Sequence, residues 1–245
     1  GTYLIPCVHG QRIFAYDRRF ARTHPEYFLM TKEGVRDPEQ KGARHPAQLC
    51  HSSRIWDEIH ADAKAYLTGQ SAESRGVALK NKPEVFAWDR NCKYGKYVDV
   101  MPTDGMKRCY CPDCTKAYAP DAQFATELIW GNTKRLAERL IVERVPGFVT
   151  MMAYPPYGRV PAFDLPTNIL VMVAKKGPWG VHHTSSWQAD NAAIRAWTQK
   201  IGHKVWLWNY PGKWGTYEQQ AANLPQMSPR AYAKYYKSVS SDIFG

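Results

Sequence analysis

YVDVMPTDGMKRCYCPDC, residues 97–114, places a strand, a turn and a cysteine cluster in direct succession. Tyr97, Val98, Val100 and Met101 have the apolar, β-favouring composition of a short buried strand. Pro102, Thr103, Asp104 and Gly105 form a turn that sets the Asp104 carboxylate at the strand's carboxyl end. Cys109, Cys111 and Cys114 follow within six positions. In open α/β sheets and in α/β barrels, the loops after the strands build the active site, so an acid in this place is a candidate for chemistry.

Helix and strand patterns alternate on the carboxyl side of this stretch. A strong apolar stripe from Asp121, through Phe124, Leu128, Ile129, Thr133, Leu136, Ala137, Leu140 and Ile141, predicts a helix ended by Pro146 and Gly147. Strands are expected at residues 148–153, 168–174 and 204–210, with helices at about 186–201 and 229–241. On the amino side, residues 2–8 read as a buried strand running into His9 and Gly10. Residues 84–89 read as another short strand. Ile55, Trp56, Ile59, Ala63, Tyr66 and Leu67 follow helical spacing behind the candidate caps Ser52 and Ser53. This order indicates an α/β fold with mostly parallel strands. A length of 245 residues suits one domain over residues 1–245, without internal repeats.

The longest clean apolar run, residues 169–174, is far too short to cross a bilayer, so no membrane partner is expected. Residues 1–3 lack the charged and apolar regions of a signal peptide. The net charge is +11, but the basic residues are scattered rather than gathered in one run. A solvated basic surface, with some preference for acidic glycans, fits this better than a nucleic-acid footprint.

Six cysteines are too few for a disulfide scaffold. Cys109, Cys111 and Cys114 resemble a metal knuckle, and Cys92 is the nearest cysteine that could complete a structural zinc site behind Asp104. Disulfides or free thiols are the alternative. An all-thiolate site is closed, so no catalytic cofactor is expected. Neither a phosphate-binding glycine loop nor a serine nucleophile elbow occurs.

Aromatic residues gather just after the expected strands: Trp88, Tyr154, Tyr157, Trp179, Trp208, Tyr210 and Trp214. Such a rim suits stacking on the apolar faces of sugar rings, although ordinary core and rim aromatics would read alike.

Several segments together resemble the glycosidase-like family called domain of unknown function 4838, related to the α-glucuronidases. They are HPEYF (residues 24–28), QLC (48–50), PTDG with CYCPDC (102–114), Ala153-Tyr154, and Trp208-Asn209-Tyr210. The resemblance runs in order along nearly the whole chain. It implies a (β/α)8-type (TIM) barrel, incomplete at one or both ends here, acting on a glycan in a secreted or periplasmic protein. The family often carries Asp where this chain has Asn209.

The expected function is glycoside hydrolase-like, with Asp104 as general acid/base and a second carboxylate among Glu26, Asp89, Asp164 or an acid outside the chain. His9 and Tyr154 are expected to bind substrate, and Trp208, Tyr210 and Trp214 to stack on it. A non-catalytic carbohydrate-binding barrel is the main alternative. A zinc-knuckle nucleic-acid binder is a more distant one.

Overall fold

Four strands lie side by side in the computed structural model: β1 (Tyr97–Asp99), β2 (Phe148–Ala153), β3 (Ile169–Ala174) and β4 (Trp206–Trp208). All neighbours are parallel, and the spatial order follows the chain order. The structure describes residues 7–12, 14–36, 38, 48–77, 96–119, 125–175, 184–203, 205–208 and 228–239. The fold over these residues is mixed α/β.

Burial on both faces explains the strand sequences. From Val149 to Ala153 every residue of β2 is buried, so the strand is a continuous apolar run interrupted only by Thr150. Register is set by pairs such as Met151 with Val171 and Val173 with Leu207.

Among the described residues six α-helices accompany the sheet: α1 (Tyr16–Phe20), α2 (Ile55–Leu67), α3 (Pro112–Tyr118), α4 (Thr126–Val142), α5 (Thr184–Ile201) and α6 (Pro229–Val239). None is long and apolar enough to cross a membrane. In α4 the stripe of Ile129, Thr133, Leu136, Ala137 and Leu140 is buried as its spacing predicts. Ile141 is a correction to that stripe. It turns outward and is 48% exposed, because one residue past Leu140 is a rotation of about 100°. Trp130 takes the inner position instead, its indole donating to the Tyr157 carbonyl at 2.8 Å and its ring 4.5 Å from that of Trp197.

The link from β2 to β3 contains no α-helix. A parallel pair still needs a crossover, and residues 154–168 make it as a loop packed on α4. Ala162 donates its N–H to Glu127, and Lys134 lies over the Phe163 ring.

The amino-terminal segment borders β1 at its carboxyl end. Gln11 donates its backbone N–H to the Met101 carbonyl and its side-chain amide to Val100. Gly10 sits so close that a Cβ there would fall 2.0 Å from the Asp99 carbonyl oxygen. The strand expected at 2–8 lies outside the described residues except for Cys7 and Val8, which are not in a strand. The strand expected at 84–89 also lies outside them.

Candidate functional site

Two groups of side chains meet at the carboxyl edge of β1, one around Asp104 and the other around the cysteines. Asp104 stands in the turn after β1 with its side chain 36% exposed. Its Oδ1 accepts the Gly105 N–H at 2.9 Å, the self-bonded turn expected of Asp before Gly. The same oxygen accepts the Tyr154 hydroxyl at 3.4 Å and lies 3.7 Å from His9 Nε2. Tyr154 leaves the carboxyl end of β2, and its ring meets that of His9 edge-on at 6.0 Å. His9, Asp104 and Tyr154, each a candidate site residue from sequence, are therefore brought together from three separate segments.

His9 is held in place from behind. Its Nδ1 is 2.9 Å from the Pro102 carbonyl, and its backbone adopts a left-handed φ of 53°. That conformation is uncommon for a residue with a side chain and is retained where surrounding bonds over-determine it. With Nδ1 donating to the carbonyl, Nε2 is the nitrogen that faces Asp104, an acceptor in the neutral ring and a donor in the imidazolium. Gln48 braces the turn, donating to the Asp104 carbonyl and accepting the Lys107 N–H.

Below this group lies Asp99, which is buried. Its Oδ2 accepts the Val8 N–H at 2.5 Å and its Oδ1 the Met101 N–H at 2.9 Å. Burial pushes its carboxyl up to about 7, against the backbone donors of Met101, Val8 and Gly10. Burial and the Asp99 charge likewise push the Cys7 thiol well above its ordinary value. At the end of β3, Lys175 is buried, and burial lowers its ammonium to about 8 despite the opposing charge of Asp190. Neither Asp99 nor Lys175 was singled out from sequence, although each stands at or just after a strand's end, where an ionisable residue is worth noting.

The candidate second carboxylates do not join this group. Glu26 pairs with His24 at 3.0 Å on the surface, and Asp164 is 98% exposed and pairs with Lys200. Asp89 lies outside the described residues, as do Tyr210 and Trp214. Trp208 ends β4 half-buried against the core, and its carbonyl accepts the Lys175 N–H.

The cysteines form a compact tetrad. The sulfurs of Cys50, Cys109, Cys111 and Cys114 lie within 4.8 Å of one another, and all four residues are buried. Cys50 stands where the sequence had suggested Cys92, which lies outside the described residues. It comes from the segment before α2, where its N–H bonds to the Tyr27 carbonyl. Cys111 caps α3, its sulfur accepting the Cys114 N–H at 3.4 Å, with Pro112 at the first helical position. That seven-residue helix was not expected from the sequence, where its first residues read as a knuckle turn.

These four thiols can hold a metal ion. The separations from Cys50 to Cys111 and Cys114 are 3.5 and 3.7 Å. A tetrahedral ion with metal–sulfur bonds of about 2.3 Å requires sulfur–sulfur edges of about 3.8 Å, whereas a disulfide requires about 2.05 Å. All five described cysteines are unbonded. Hydrogen bonds from the neighbouring thiols of Cys114 and Cys50, with backbone N–H groups of Met30 and Cys111, draw the Cys109 thiol well below its ordinary value. Thiolate charge at the tetrad also favours the Arg36 guanidinium: burial opposes its charge, but a hydrogen bond to Cys50 and attraction to Cys50, Cys109 and Cys111 outweigh it.

No protein-family model, curated protein or solved structure matches the chain.

Proposed function

We propose that the chain is a glycoside hydrolase-like protein whose glycan site lies at the carboxyl edge of the sheet, with Asp104 as general acid/base. The observation that carries this reading is the convergence of His9 and Tyr154 on Oδ1 of Asp104 at the ends of adjacent segments. A half-exposed carboxyl in contact with an imidazole and a phenol can exchange a proton with a leaving oxygen while its neighbours hold sugar hydroxyls. His9 and Tyr154 are substrate ligands in this reading, and the basic surface favours an acidic glycan.

The sheet belongs, in the same proposal, to a (β/α)8-type barrel. Support comes from the strand order, which runs β1-β2-β3-β4 without reversal. A doubly wound sheet reverses its order at a switch point, whereas a barrel proceeds around its axis in chain order. The bonding of Gln11 to Val100 and Met101, just past β1, also supports a preceding strand beside it.

The tetrad is assigned a structural zinc ion, held by Cys50, Cys109, Cys111 and Cys114. Its thiolates leave no open position for substrate, so it ties the segment before α2 to the loop following Asp104.

A second reading, a carbohydrate-binding barrel without turnover, is favoured by the Gly105 N–H bonded to Asp104 and by the separate pairing of Glu26 and Asp164. The deciding experiment is a panel of glycans and aryl glycosides tested with the native protein and Asp104→Asn. Turnover abolished by Asp104→Asn with binding retained supports the hydrolase. Binding without turnover in both proteins supports the binder.

A further inference from the structure

Outside the Asp104 group, a cavity of about 450 Å³ opens between the start of α2 and one face of α4. Three arginines line it, Arg54 from the entry to α2 and Arg135 and Arg139 from α4, against the single carboxylate of Asp57. Asp57 is already engaged, accepting from Arg54 Nε at 3.4 Å and from Arg139 Nη1 at 3.0 Å. Arg135 instead donates to the neutral side-chain oxygen of Asn132 and has no carboxylate partner among the described residues. Guanidinium charge therefore exceeds carboxylate charge in a concave site.

The inner wall offers a second, independent feature. His51 is 98% buried, lines the cavity, and has an Nδ1 with no hydrogen-bond partner. The indole Nε1 of Trp56, whose ring lies 5.9 Å from that of His51, also has none. Buried polar atoms are nearly always satisfied, and leaving one unmade is costly. Asn132 fixes the wall by donating to the His51 carbonyl at 2.7 Å. The volume falls in the range of small-molecule sites, and Leu128 and Leu136 give it an apolar side.

We propose that this cavity binds the oxyanion of a small ligand, a phosphate or carboxylate carried on a compact body such as a sugar ring. Arg135 takes the oxyanion as a planar fork, which matches two oxygens of either group. Arg54 adds charge at the rim, and the apolar side with Trp56 receives the body of the ligand. The assignment stands apart from the Asp104 reading, because it needs neither turnover nor a second carboxylate.

Calorimetric titration of the folded protein with inorganic phosphate, glucose 6-phosphate, glucuronate and glucose tests it. The expected result is saturable one-to-one binding of glucose 6-phosphate or glucuronate, none of glucose, and about tenfold weaker binding in Arg135→Gln and in Arg54→Gln, the loss of a charge-assisted pair. Preference between the phosphate-bearing and carboxylate-bearing probes identifies the source of the oxyanion. Lys116→Gln, at an exposed position of α3 that does not line the cavity, should bind as the native protein does. Absence of saturable binding, or equal weakening by Lys116→Gln and Arg135→Gln, would overturn the proposal. Thermal midpoints of the variants separate lost binding from lost folding.

Discussion

The sulfur of Cys50 lies 3.5 Å from that of Cys111, although 61 positions of sequence separate them. Met30 strengthens the same link, its N–H donating to the Cys109 sulfur at 3.3 Å and its carbonyl accepting the Tyr110 N–H. The region before α2 and the loop after Asp104 are thus joined through sulfur and backbone together.

With zinc at the tetrad, the purified protein contains one equivalent of the metal by elemental analysis, and Cys50→Ser contains none, whereas Cys7→Ser retains it. Chelation lowers the unfolding midpoint by about 10 °C, since 1 kcal/mol moves a domain of this size by about 2–4 °C and a structural ion contributes several. A full metal complement in Cys50→Ser would remove Cys50 from the ligand set.

Asp104→Asn is expected to lower kcat by about 10² to 10⁴, the usual contribution of a general acid or base, with KM little changed. Tyr154→Phe removes one hydrogen bond to Oδ1 and lowers kcat/KM by about tenfold, at an unchanged unfolding midpoint. Steady-state kinetics on the best glycan of the panel checks both. Unimpaired turnover in Asp104→Asn would move the chemistry to another residue.

Asp62 is fully buried within a network of cations. Its Oδ2 accepts Arg19 Nη1 at 2.6 Å, and its Oδ1 accepts Arg19 Nη2 and Arg75 Nε at 3.1 and 2.8 Å. Removing one partner of a buried charged group strands the other, so Asp62→Ala is expected to cost about 3–5 kcal/mol in urea unfolding. Glu58→Gln, on the half-exposed side where Arg75 Nη2 reaches 2.7 Å, is expected to cost about 1 kcal/mol or less.

Asp99 makes stability depend on pH in an unusual direction for a carboxylate. Its folded value, about 7, lies above its ordinary 3.8, so the native state holds a proton that the unfolded chain releases. The contribution is fully present below 3.8 and is lost as pH rises through about 7. Asp99→Asn faces an amide NH2 against the N–H of Val8 or Met101, and it is expected to be less stable than the native protein. The difference is largest at the acid end of this window and shrinks as pH rises. Urea unfolding of both proteins across the window checks this, and a difference constant with pH would count against it.

Gly10→Ala tests the close approach beside Asp99. A Cβ cannot occupy a point 2.0 Å from the Asp99 carbonyl oxygen, which is backbone and cannot swing aside. The amino-terminal segment must then shift, with a loss of about 1–3 kcal/mol. An unfolding midpoint equal to that of the native protein would mean the segment is free to move.

Local pattern was enough to read α2, the core stripe of α4, and strands β2 and β3. A helix or a parallel strand repeats its demands every few residues, and burial makes those repeats visible as apolar spacing. Proximity of Cys109, Cys111 and Cys114 was legible for the same reason, since a spacing of two or three residues brings side chains together in almost any compact turn. Asp104 at a strand's carboxyl end was legible from turn chemistry alone.

What tertiary structure decided was which distant residues meet. Cys50 as the fourth thiol, His9 and Tyr154 on one carboxylate oxygen, and Arg54 across a cavity from Arg135 all depend on how segments are laid beside one another. Strand register, the packing of the residue 154–168 crossover on α4 and the seating of Gly10 on Asp99 set those distances. No short-range period encodes them, because each arises from the summed packing of elements far apart in the chain. Cys50, far away in sequence, joins the other three thiols only through the fold, while the turn holding Asp104, closed by its own neighbour's N–H, could be read directly.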